Sequence, residues 1–117
     1  MSSPEVFVAP IVFEVCAIPT TYPDRWDWTL RVEARGRDRW AVVFRGQWTY
    51  CKSDARKKIP RGRIEPMNSS RTDAYLKAYR HTFDEAMDLA KTLAPKVMVM
   101  GMTAAEWMAR VDARGEA

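Results

Sequence analysis

Between residues 26 and 35 apolar and polar side chains alternate, with Trp26, Trp28, Leu30, Val32 and Ala34 in one set and Asp27, Thr29, Arg31, Glu33 and Arg35 in the other. A period of two puts each set on one face of a pleated chain, so the stretch predicts a strand with one buried and one solvated face. The pattern before it differs. Residues 6–15 are almost uniformly apolar and rich in β-branched and aromatic types, which predicts a strand covered on both faces, with a bulge or an end of pairing at Pro10. After a turn at Gly36-Arg37-Asp38, Trp40, Val42 and Phe44 share a face. Gly46-Gln47 suits the central pair of a tight hairpin leading to Trp48-Thr49-Tyr50-Cys51. The product is an antiparallel meander.

The period changes to 3.6 further on. Phe83, Ala86, Met87, Ala90, Leu93 and Ala94 form a helical stripe, Thr82 with Glu85 makes a capping box ahead of it, and Pro95 stops it. Residues 97–100 predict a short apolar strand, and Gly101 lets the chain turn. Thr103 and Glu106 repeat the capping box for a last helix that turns Trp107, Met108 and Val111 inward and ends at Arg114-Gly115. Asn68–Ser70 offers caps for a short helix through Asp73, with Ala74, Tyr75, Ala78 and Tyr79 as its face. The order β-β-β-β-(α)-α-β-α predicts an α+β fold, an antiparallel meander sheet with C-terminal helices packed on one face. Residues 1–117 carry no internal repeat and no linker, so a single domain is expected, with Trp28, Leu30, Val32, Val42, Phe44, Phe83, Met87, Ala90 and Leu93 in its core.

Composition narrows the chemistry. An apolar fraction of 47%, with 11% aromatics, rules out disorder for the bulk of the chain. One His and two Cys are too few for a His/Cys metal cage or a disulfide scaffold. Cys16 and Cys51 have no ligand spacing and are expected as reduced packing residues, a disulfide between them being left open. The opening run has no Lys or Arg ahead of it, contains Glu5 and Glu14, and is interrupted by Pro10. Neither a signal peptide nor a membrane helix is expected there, and the reading is a cytoplasmic protein with no membrane partner.

Charge is unevenly spread. Residues 1–30 carry −3, residues 31–64 carry +8 and residues 65–117 carry −1. Residues 52–63 hold six bases against one acid, interrupted by Pro60 and Gly62, and are expected as an exposed loop or hairpin tip. Arg56, Lys57, Lys58, Arg61 and Arg63, with Trp48 and Tyr50 close in sequence, are the candidate binding residues. Charge reversal at Arg56, Lys57 and Lys58 is expected to leave folding intact. Two partners suit this composition. One is a nucleic acid, met by salt-sensitive phosphate contacts and stacked on Trp40, Trp48 or Tyr50, although aromatics on alternating strands also serve the sheet's own core. The other is a protein, docked on the basic loop and on the polar row from Asp27 to Arg35. A homo-oligomer is a third option, through Met98, Met100, Met102 and Met108.

Catalytic patterns are missing. His81 precedes a helix cap and reads as a surface or capping residue. No nucleophile elbow surrounds Ser53, Ser69 or Ser70, and the glycines are scattered singly, so no phosphate cradle can be built. Asp84, Glu85 and Asp88 with His81 are the only metal ligands worth weighing, and acids near a helix N-terminus already serve its dipole. No enzymatic activity, catalytic residue, metal or organic cofactor is expected.

Three stretches, RWAVVFRGQWTYCKSD (39–54), YRHTFDEAMDLAKTLAP (79–95) and VMVMGMTAAEW (97–107), carry a resemblance. In their Trp-bearing hairpin, "HxFxxA…LA…AP" helix and "VxVxGxTAxE" ending, they resemble small accessory proteins of phages that infect actinobacteria. The resemblance implies a small cytoplasmic protein made in an infected bacterial host that binds a host macromolecule. A host protein is the favoured partner, with sequence-tolerant nucleic-acid binding as the alternative. It supplies no catalytic residues.

Overall fold

The computed structural model describes residues 4–115. Five antiparallel strands lie in chain order across one sheet: β1 (Val12–Val15), β2 (Leu30–Ala34), β3 (Trp40–Phe44), β4 (Trp48–Thr49) and β5 (Arg63–Ile64). Cross-strand partners share a face, and the register pairs Phe13 with Val32, Val32 with Val42, and Leu30 with Phe44. This gathers the apolar set on one side. Onto it falls the buried stripe of α2 (Phe83–Leu93), formed by Ala86, Leu89, Ala90 and Leu93. Thr82 starts that helix as expected. Its Oγ1 accepts from Glu85 N–H at 3.2 Å, and its own N–H donates to Glu85 Oε1 at 3.0 Å.

Pro95 lies in a 3-10 turn, Ala94–Lys96, that ends the helix. The following ribbon, β6 (Met98–Val99) with β7 (Met102–Thr103), turns through Met100 and Gly101 at φ 52° and 77°. A two-residue turn with both φ positive matches the twist of its strands. Thr103 then caps α3 (Ala104–Ala113), which stacks Trp107 on Trp28 at 5.3 Å between ring centroids. Trp28 Nε1 donates to Met102 C=O at 3.0 Å, so the ribbon and α3 are tied to the core through one indole. The α+β meander with C-terminal helices on one face is thus the observed architecture.

Several local expectations are corrected. Of residues 6–15 only Val12–Val15 form a strand, and residues 6–11 are exposed, because β1 is an edge strand reached by the helix layer only at Phe13 and Val15. Arg25–Trp28 is a 3-10 turn entered through Asp24 at φ 56°, so the alternation of residues 26–35 is strand only from Leu30. The β3–β4 hairpin places Arg45 and Gly46, not Gly46 and Gln47, in its two left-handed positions, at φ 53° and 75°. The short helix α1 (Asp73–Tyr79) is capped by Thr72 rather than by Asn68–Ser70, which form their own 3-10 turn. Its inner face is Tyr75 with Tyr79, and Ala74 and Ala78 are exposed.

That helix covers the opposite face of the sheet. Thr49 pairs with Val43, away from the main core, and its hydroxyl lies 2.9 Å from that of the buried Tyr75. Val43 and Ala41 are therefore buried as fully as Val42.

His81 is not a surface residue; it is 3% exposed. Its backbone exchanges two hydrogen bonds with Trp40, at 2.9 and 2.8 Å, and its Nε2–H donates to Tyr50 C=O at 3.1 Å. Nδ1 has no protein partner. Burial, outweighing the bond to Tyr50, depresses the imidazole's pKa below its ordinary 6.5. A depressed histidine stabilises the fold above its unfolded pKa, and the contribution is lost as pH falls through the folded value. Thermal melts should therefore show stability declining as pH drops below about 6.5, with a smaller decline in His81→Gln. Parallel curves for the two proteins between pH 7 and pH 5 would exclude His81 as the cause.

Candidate functional site

Residues 52–63 are more ordered than a solvated loop. Lys52–Arg56 forms a 3-10 turn around the buried carboxylate of Asp54, which accepts from Cys51 N–H at 2.9 Å and from Lys57 Nζ at 2.9 Å. The hydrogen bond and charge of Asp54 raise the Lys57 pKa. Charge reversal at Lys57 would set two carboxylates together, one of them buried, so Arg56, Lys57 and Lys58 are not equally replaceable. This corrects the expectation drawn from composition, in which all three were free surface bases. Arg56 and Lys58 are exposed.

The segment then returns to the sheet at Gly62. Its φ is 70°, and a Cβ there would stand 2.8 Å from Thr49 C=O and 3.0 Å from the Tyr50 ring. Only glycine permits that approach. The return splits the last two bases between the faces of the sheet. Arg63, in β5, lies over the Tyr75 ring at 5.1 Å on the outer face. Arg61 instead lines a groove of about 520 Å³ on the other side.

Trp48, Ile59 and Pro60 line that groove from one direction, and Lys96 and Met98 line it from the other. Trp48 is partly exposed, Ile59 is open to solvent, and Met98 stands at the ribbon's edge. Lys96 Nζ donates to Ala55 C=O, which fixes its ammonium beside the groove. Tyr50 is 4% exposed and packs in the main core. Burial, then the neighbouring Asp54, pushes its pKa up to about 12. It is therefore a floor residue and not an open stacking platform, which corrects the reading of Tyr50 as an exposed contact. Trp40 is likewise a packing residue, 5.0 Å from Phe83 and 6.0 Å from Phe13 between ring centroids.

Of the seven residues singled out by sequence, the fold brings Trp48, Tyr50 and Arg61 together. Arg56 and Lys58 stay on the exposed segment, Lys57 is tied to Asp54, and Arg63 is on the opposite face. Sequence reading missed Ile59 and Lys96, and weighed Met98 only for self-association. An isoleucine and a proline inside a run of bases were the available signal for a groove wall.

The polar row of the meander is open only at Asp27 and Arg31. Thr29 is buried, and Arg35 forks onto Glu65 at 3.3 and 3.2 Å while also binding Glu33 at 2.9 Å. Arg80 joins Glu65 at 2.6 Å, so the Glu33–Arg35 end of the row is closed by an ionic network.

Cys16 and Cys51 are both free thiols. Among the described residues no group of three or more His, Cys, Asp or Glu is arranged to hold a metal ion. Glu85, weighed as a ligand, is occupied by Lys52 and by the cap at Thr82, and these bonds, Lys52 first, push its pKa down to about 2.

Comparison with protein-family models, with curated proteins and with solved structures gives no match. No helix among the described residues is long and apolar enough to cross a membrane.

Proposed function

We propose that this is a non-enzymatic accessory protein of the phage type that acts in the host cytoplasm by binding a host protein. One observation carries the reading: the apolar groove between Trp48 and Met98 has Arg61 and Lys96 beside it. An apolar anchor side chain flanked by acidic residues is the complementary ligand, since buried anchors supply most interface energy and charges supply orientation and rate. Direct nucleic-acid binding is the second reading, favoured by the exposed Arg56, Lys58 and Arg61. It is the weaker one, because a single strand needs a continuous basic track with open aromatic platforms. Here Lys57 is engaged, Arg63 is on the other face and Tyr50 is buried.

The two readings separate on a tagged chain incubated with actinobacterial lysate with and without nuclease. The protein reading expects a partner that survives nuclease. Its affinity should fall at least about tenfold in Trp48→Ala with Arg61→Glu, and only modestly with salt. A partner lost on nuclease treatment, with log affinity falling steeply and linearly in log salt, would establish the second reading. Full affinity in the double variant would remove the groove from the site.

A further inference from the structure

Residues 6–11 belong to a run with the composition of a strand buried on both faces, yet Val6, Phe7 and Val8 are 87%, 82% and 95% exposed. They lead directly into β1, whose outer edge has no hydrogen-bonded strand among the described residues. An open apolar edge is a template for pairing with another chain.

We propose that two copies of the protein join through antiparallel pairing of their β1 edges, each laying residues 4–9 onto the other. Pro10 has no N–H to donate, so the new ladder is limited to residues 11–15 and the chain before it leaves the edge. Antiparallel pairing sends this leading segment toward the Val15 end of the partner's β1. At that end the register aligns Val15, Leu30 and Phe44, and the β3–β4 turn begins. A groove of about 540 Å³ opens there, with Glu14, Trp26, Asp27, Thr29 and Arg31 along it and Arg45 at the turn.

The fit is chemical as well as geometric. Trp26 is 70% exposed and offers an indole face for Phe7 or Val8. The only charge in residues 4–11 is Glu5. Among the described residues Arg45 has no carboxylate partner, its guanidinium resting on the Phe44 ring at 5.3 Å. Six extended residues span about 20 Å, enough to cross from the edge into this groove. A six-residue segment this open carries about 900 Å² of accessible surface; covering about half of it, with a similar area lost from the receiving groove on the same copy, buries on the order of the roughly 800 Å² per partner of a stable interface. Both halves of the contact are on every copy, so a two-fold dimer closes on itself and no open filament forms.

Sedimentation equilibrium tests this. At about 100 µM, well above a micromolar Kd, the wild type should have twice the 13.5 kDa chain mass. The triple variant Val6→Asp, Phe7→Asp, Val8→Asp should have the single mass with an unchanged far-UV circular dichroism spectrum, since these side chains touch little of their own fold. Glu5→Arg should weaken the dimer about tenfold, and adding Arg45→Glu should restore it. A wild type of single mass, a triple variant that still dimerises, or an assembly larger than two would overturn the proposal. Failure of the charge swap to restore the dimer would overturn the placement of the segment in this groove.

Discussion

Leu93→Asp is expected to unfold the protein. Leu93 is 0% exposed and sits in the last turn of α2, within the cluster that joins helix and sheet. Removing a buried leucine side chain costs about 3 kcal/mol from lost transfer energy and the cavity left behind. The carboxylate adds several kcal/mol, as an unpaired charge, or a smaller penalty if it takes up a proton. A domain of this size has only about 5–15 kcal/mol in total. Urea denaturation followed by circular dichroism should show no cooperative transition in the variant. Lys91→Gln, on the exposed face of the same helix, should remain within about 0.5 kcal/mol of wild type. A wild-type midpoint for Leu93→Asp would mean that α2 packs in another rotation.

The second large effect is expected at Glu65, the centre of the ionic network on the outer face. Its side chain is 10% exposed, Arg80's is 6%, and Arg35 and Arg71 approach the same carboxylate at 3.2 and 3.5 Å. Glu65→Leu removes the anion shared by three guanidinium groups. Loss of one member of a shielded ionic cluster strands the others, at a cost of about 3 kcal/mol. For a chain this long that lowers Tm by about 10 °C or more.

The pH dependence carries a defined sign. Burial alone would raise the Glu65 pKa, but the hydrogen bonds and charges of Arg35 and Arg80 outweigh it and hold the carboxyl below its ordinary 4.5. A depressed carboxylate stabilises the fold above the unfolded pKa, and that contribution disappears as pH falls through the folded value. The Tm difference between wild type and Glu65→Gln should therefore be full at pH 7 and shrink below about pH 4.5. A difference independent of pH would assign the effect to packing and not to charge.

Both predictions rest on partners far apart in the chain, and this separates what was legible in advance from what was not. The capping boxes at Thr82/Glu85 and Thr103/Glu106 and the alternation of Leu30 to Ala34 act between residues a few positions apart. Their chemistry is complete within a short segment, so it can be read without coordinates. The start of the helix at residues 73–79 shows where a local signal falls short. Asn68–Ser70 reads as the cap of a helix, but it makes its own 3-10 turn, and Thr72 caps the helix whose Tyr75 meets the hydroxyl of Thr49.

From its sequence alone the protein was determined to be an α+β meander under two capped helices, with an apolar stripe at Phe83 to Leu93 and an excess of bases in residues 52–63. Only the tertiary structure decided how those bases are used. Asp54 withdraws Lys57, the close return at Gly62 divides Arg61 from Arg63, and Lys96 and Met98 arrive from a distant ribbon to complete the groove. It also decided that His81 is buried, because the backbone of Trp40 claims it. Residues 6–11 show the limit most directly. Apolar composition states that a segment favours burial, whereas the surface that covers it is set by the geometry of the folded edge from which it extends.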